Sequence, residues 1–281
     1  MRQLTQDWQA GTMPFKKNIV FVGDSFCSCW NEDSVIPHKM AQQKDSDPKN
    51  KSWLDLTAEA LELNLYSFGF AGRSWYYSRK QLFDHMEYDP EWIESIELMV
   101  FCHTNSTRYN SENGDVGNEM LNLDWKPHSD DAKYKYKTTL AKSLQSWAAD
   151  LIDYSFQDWS QVQWFHEIDR TFKDIKQIHF NNYPFTVEIS KSALPGVVFT
   201  TPLIHVSFSE GKGTDAEIIK HYMIQDRRCN HFSSYNNRMM SALVVDTYQN
   251  YEPGSRPIDL TNFYAPNPNA SRWPDPGFGT R

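Results

Sequence analysis

Apolar positions fall in two rhythms that alternate along the chain. Ile19, Val20, Phe21 and Val22 form an unbroken apolar run, which predicts a strand over 17–23 buried on both faces. After a polar, turn-rich stretch containing Asp45-Ser46-Asp47-Pro48, Ser52 stands as an N-cap. Trp53, Leu54, Leu56 and Leu61 then recur at helical spacing. A second strand is expected over 64–70, a helix over 75–86 closed by Asp89-Pro90, and a third strand over 96–102. The alternation of strand and helix predicts a parallel sheet with helices on both faces, its right-handed crossovers placing all the strand ends on one edge.

Residues 109–128 are polar and rich in Asn, Asp and Gly, and read as an irregular insertion. Leu140, Leu144, Trp147, Leu151 and Tyr154 mark one face of a helix starting near Asp131. A second helical stretch over 159–173 carries Val162, Phe165, Ile168 and Phe172; the two form either a lobe over the site or cover for the sheet. A fourth strand is expected over 175–180, and 183–189 is extended without a clear place in the sheet. A fifth strand over 197–201, broken by Pro202, could continue to Val206. A weak helix over 215–224 and a good one over 234–248 follow, and the Pro/Asn/Gly-rich tail over 252–281 reads as irregular. The whole chain, 1–281, is read as one α/β domain with a mainly parallel five-stranded sheet and an insertion with cover helices over 109–173.

Bulk composition narrows the function classes. With 40% hydrophobic and 23% charged residues the composition is that of a soluble globular protein. A net charge of -8 disfavours nucleic acid as a partner. No apolar run is long enough to span a membrane, and residues 1–17 lack the apolar core of a secretory signal, so a cytoplasmic setting is expected. Four cysteines, Cys27, Cys29, Cys102 and Cys229, are too few for a disulfide scaffold. A zinc site on them is disfavoured by the Cys-x-Cys spacing, so neither metal nor cofactor is expected.

Polar residues of catalytic type gather where the strands end, which is where open α/β sheets bind ligands. Ser25 follows the first strand, Gly72 the second and Asn105 the third, and His231 precedes the last long helix. Asp24 and Ser25 could instead cap the next helix. As a site, Ser25 offers a nucleophilic hydroxyl and its own N–H. Gly72 offers a second N–H unobstructed by a Cβ, Asn105 a side-chain amide, and His231 a base poised near neutral pH. Trp30, Trp75, His103 and Arg73 are weaker candidates for touching substrate, the tryptophans being equally suited to helix packing and the arginine to solvent.

These residues carry a resemblance. Gly23-Asp24-Ser25-Phe26, Gly69-Phe70-Ala71-Gly72, His103-Thr104-Asn105 and Cys229-Asn230-His231 occur in the order of the Ser, Gly, Asn and His blocks of the GDSL/SGNH hydrolase family. The resemblance implies a flavodoxin-like three-layer α/β/α fold and esterase, lipase or carbohydrate O-deacetylase activity. It further implies Ser25 as nucleophile, His231 as base and an oxyanion hole of Ser25, Gly72 and Asn105. The chain departs from the family where Arg228 replaces the usual Asp three before the histidine, which makes Asp226 the substitute candidate. His103 and Ser106 also stand where Gly and Asp are usual. The expected activity is hydrolysis of a small or glycan-borne ester; a catalytically weak binding protein on the same fold and an acyltransferase are the alternatives.

Overall fold

The strand at residue 18 sits between two partners, and that placement organises the sheet. The computed structural model describes residues 17–28, 51–70, 74–104, 109–111, 114–116, 154–182, 194–209 and 229–264. Strand β1 (Asn18–Gly23) is buried along its whole length and pairs in parallel with β2 (Asn64–Gly69) on one side and β3 (Ile96–His103) on the other. Beyond β3 lie β6 (Lys176–Asn181), β7 (Val197–Phe199) and β8 (Gly254–Arg256), giving the parallel order β2-β1-β3-β6-β7-β8. Strands β4 (Tyr109–Ser111) and β5 (Gly114–Val116) form a separate antiparallel hairpin.

Side-chain alternation divides the core into two layers. Ile19, Phe21, Leu98, Val100, Ile178 and Phe180 point to one face, against Trp53 and Leu54 of α1 (Trp53–Ala60) and Met240 and Val244 of α5 (Ser234–Gln249). Val20, Val22, Met99 and Phe101 point to the other, against Leu82 of α2 (Trp75–Tyr88) and Trp164, Phe165, Ile168 and Phe172 of α3 (Tyr154–Phe172). Arg79 and Glu167 join α2 to α3 through two parallel bonds of 2.5 Å. The result is a three-layer α/β/α arrangement of flavodoxin-like strand order, with the direction of winding reversing between β1 and β3. Among the described residues no helix is long and apolar enough to cross a membrane.

Two expectations are corrected. The sheet has six strands rather than five, because Gly254–Arg256, inside the tail read as irregular, pairs with β7. Residues 203–206 continue as α4 (Leu203–Ser209) and not as strand. Pro202 cannot donate to a ladder, and its carbonyl instead accepts from His205 N–H to open a helical turn. The start of the 109–128 insertion is ordered as the β4–β5 hairpin, and α3 begins before the expected 159. That helix covers the sheet. The helix expected from 131, the extended stretch over 183–189 and the weak helix over 215–224 lie outside the described residues, apart from the Tyr154 that opens α3.

The end of β2 touches the turn that follows β1. A Cβ placed on Gly69 would stand 2.2 Å from Cys27 O and 2.5 Å from the carbonyl carbon. Both obstacles are backbone, so neither can rotate away. Gly69→Ala is therefore expected to lower the thermal midpoint by roughly 5 °C or more, or to abolish soluble expression. A calorimetric midpoint within about 1 °C of wild type would show that β2 and the turn separate freely.

Candidate active site

Strand β1 delivers Ser25 to the carboxyl edge of the sheet through a glycine and a capped turn. A Cβ on Gly23 would lie 2.3 Å from Cys102 O, so only glycine lets β1 leave the sheet this close to β3. Asp24 then caps the 3-10 turn Ser25–Cys27, its Oδ1 accepting from Phe26 N–H at 3.0 Å. Asp24 supplies the cap, so the Ser25 hydroxyl is not needed for it.

The turn is held from several directions. Asn182, just past β6, donates its Nδ2 to Asp24 Oδ1 at 2.7 Å and to Cys102 O at 3.1 Å, tying the ends of β1, β3 and β6 together. Trp53 Nε1 donates to Phe26 O at 2.8 Å, and Ser67 Oγ to Cys27 O at 2.7 Å. Asn230 Nδ2 donates to Ser25 O at 3.1 Å and to Ser28 O at 2.9 Å. Ser25 itself is 8% exposed. As the first residue of the turn its N–H has no acceptor within the turn, which leaves that donor suited to a developing oxyanion.

His231 reaches Ser25 from a second irregular turn, Cys229–His231, ahead of α5. Asn230 (φ 52°) and His231 (φ 64°) both adopt left-handed backbone conformations. Ser207 Oγ of α4 donates to His231 O at 2.8 Å, and the Phe26 ring packs on the imidazole with centroids 4.8 Å apart. Ser233 caps α5, and Asn237 in its first turn accepts from Trp53 N–H while donating to Phe232 O, both at 3.0 Å. The outcome is a bond of 2.7 Å between His231 Nε2 and Ser25 Oγ. A hydroxyl and an imidazole at that distance have the geometry that a nucleophile and a general base require, the hydroxyl donating when Nε2 is unprotonated.

Of the residues singled out in the sequence, Ser25 and His231 are brought together, while Gly72, Asn105, Asp226, Trp30 and Arg73 lie outside the described residues. Trp75 opens α2, half-buried, with its ring edge-on to Tyr76. His103 is 3% exposed and faces the interior between Phe101 and Phe165, which gives it a structural setting and no open surface for a substrate. Cys27 and Cys102 are buried and form no disulfide, and among the described residues no group of His, Cys, Asp or Glu is arranged to hold a metal. Sequence reasoning missed Asn182 and Asn230. Their available signals were position alone: one ends a parallel strand, the other adjoins the histidine.

His103 has a hydrogen-bond partner that the sequence did not suggest. Its Nε2 lies 3.0 Å from Nδ1 of His179 on the neighbouring strand, and His179 Nε2 lies 3.1 Å from Pro195 O. A carbonyl only accepts, so His179 carries its proton on Nε2, and His103 must donate to the bare Nδ1. Both rings are neutral in this chain of bonds. Burial pushes His179 down to about 3 against the pull of the Pro195 carbonyl, and burial followed by His179 pushes His103 well below its ordinary value.

Comparison of the chain with protein-family models, with curated proteins and with solved structures finds no match.

The histidine pair makes stability depend on acid. An unfolded histidine takes up its proton near 6.5, whereas His179 resists it down to about 3, so its folded value is depressed. Its contribution is complete above pH 6.5 and is lost as pH falls from there toward 3. Between pH 7 and pH 5 this is about 2 kcal/mol for one such histidine. Urea denaturation at the two pH values is expected to show a smaller loss, by about that amount, in His179→Gln than in wild type, whatever the variant's absolute stability. Equal losses in the two proteins would mean that His179 protonates without disturbing the fold.

Proposed function

We propose that the protein is a serine hydrolase that cleaves an acyl ester through an acyl-enzyme on Ser25, with His231 as general base. The observation that carries this reading is the 2.7 Å bond between Ser25 Oγ and His231 Nε2, made by residues 206 positions apart in the chain. Its location at the winding reversal of the sheet supports it, since ligands bind at such crevices. The ordered resemblance of the Ser, Gly, Asn and His blocks to the GDSL/SGNH family supports it further.

Ser25 Oγ attacks the ester carbonyl carbon while its proton passes to His231 Nε2. The carbonyl oxygen becomes an oxyanion facing the Ser25 N–H. Gly72 and Asn105 are the further donors proposed from sequence, each such donor being worth roughly 3–4 kcal/mol. Collapse of the tetrahedral species breaks the bond to the alcohol, which leaves with the proton from His231. A water then gives its proton to His231 and attacks the acyl carbon. The acid departs as Ser25 Oγ recovers its proton. Asp226 is the candidate to orient the imidazole. The substrate class is a small or carbohydrate-borne ester.

The test is turnover of p-nitrophenyl acetate by the full chain. Wild type is expected to hydrolyse it and to take a fluorophosphonate label on Ser25, and Ser25→Ala to lose the label and roughly 10³-fold or more of the rate. Equal rates for the two proteins remove Ser25 as the nucleophile. Acylated acceptor accumulating faster than free acid would reassign the site to acyl transfer. Absence of both turnover and label would leave a binding protein.

A further inference from the structure

The two catalytic side chains belong to separate turns, and one residue bonds to both turns. Asn230 is fully buried, and its Nδ2 spends both hydrogens on the Ser25 turn, one on Ser25 O and one on Ser28 O. Those two acceptors bracket the 3-10 turn Ser25–Cys27, so the amide fixes the turn's orientation as well as its position. The backbone of the same residue is left-handed (φ 52°, ψ 30°) and leads into His231, itself left-handed. Among L-residues other than glycine, Asn is one of the few that adopt this conformation readily. A side chain that clamps the nucleophile's turn and a backbone that aims the base therefore reside in one amino acid.

We infer that Asn230 is a positioning residue that sets the register of His231 against Ser25. This deepens the hydrolase reading and rests on it for its kinetic consequences, but the geometric statement stands separately. No common substitute replaces both functions of Asn230 at once. Glycine keeps the left-handed backbone and loses both hydrogen bonds. Aspartate keeps the shape but turns a double donor into an acceptor facing two carbonyl oxygens. Glutamine keeps the amide one methylene too far out. Other contacts hold the two turns in general: Trp53 and Ser67 grip the Ser25 side, and Ser207 grips the His231 side. Loss of the Asn230 amide should therefore loosen the register without dismantling either turn.

The experiment compares wild type with Asn230→Gly and Asn230→Asp as full chains, with Ser25→Ala as a reference. Three quantities are read: the thermal midpoint, kcat and KM separately for p-nitrophenyl acetate, and the long-range ¹H–¹⁵N spectrum of the His231 ring. For Asn230→Gly the expected result is a KM within about twofold of wild type and a kcat lower by roughly 10–100-fold, the scale of a small misplacement of reacting groups. Asn230→Asp is expected to lose more. The Nε2 signal of His231 should shift in both variants in the direction seen in Ser25→Ala, where the partner hydroxyl is gone. Wild-type kcat in Asn230→Gly overturns the proposal. So does a collapse of the thermal midpoint with kcat and KM changing together, which would mark Asn230 as merely structural. Should Ser25→Ala retain full esterase activity, the hydrolase reading fails. The ring spectrum then decides the register claim alone, and an unmoved His231 signal in Asn230→Gly sinks that too.

Discussion

Everything at the carboxyl edge depends on two irregular turns meeting at hydrogen-bond distance, although each belongs to a different end of the chain. The Ser25 turn is anchored to the sheet through Asp24, and the His231 turn is anchored to the helical layer through Ser207 and the cap of α5. A displacement of an ångström at either turn would break the bond of 2.7 Å between Nε2 and Oγ. The parallel sheet supplies the coarse placement. Neutral amides supply the fine one: Asn182 welds three strand ends, Asn230 joins the two turns, and Asn237 ties α5 to the first turn of α1. An amide suits this work because it donates and accepts without the desolvation penalty that an ionised group would bring into a buried edge.

Asn182 shows that such placement has an energetic cost. Its Nδ2 is committed twice, while its buried Oδ1 has no partner among the described residues. An unsatisfied buried acceptor costs on the order of 1–3 kcal/mol. The orientation of the amide is nevertheless forced, since both of its neighbours, the Asp24 carboxylate and the Cys102 carbonyl, can only accept. Fully buried and next to Ser25, the Asp24 carboxylate needs such a donor, and the fold tolerates an orphaned oxygen to provide it.

The fold was legible where burial is two-sided or periodic. The apolar runs at Ile19–Val22 and Leu98–Cys102 mark the central strands, and the Ser52 cap marks α1. It was illegible where three residues suffice for an element. Gly254, Ser255 and Arg256 carry no strand pattern, because an edge strand gains its place from one ladder to β7 and needs no apolar face. Leu203 to Val206 misled for the opposite reason. Their apolar, partly β-branched composition fits a strand, and Pro202 with the Ile204 N–H to Asn182 O bond decides for a helix through contacts far away in sequence. At the site, Ser25 and His231 were legible because their chemistry is rare in such positions. The positioning amides were not, since an Asn after a strand or before a His has many bland uses and only the fold reveals which carbonyls it faces.

The backbone at His231 explains why this edge requires so many bonds. Two successive non-glycine residues in the left-handed region cost on the order of 1–2 kcal/mol each, somewhat less for the Asn. Relaxed to an ordinary conformation, residue 231 would swing the imidazole away from Ser25, so the strain and the contact with Ser25 are one feature. Among the contacts that hold it are the two bonds from Asn230 Nδ2, the bond of the Ser207 hydroxyl to His231 O, and the packing of Phe26 on the imidazole and on Phe232. At about 1 kcal/mol net for each hydrogen bond, these three alone are of the same size as the strain. Asn230 thus couples the left-handed turn to the Ser25 and Ser28 carbonyls, while Ser207 and the cap of α5 hold that turn independently.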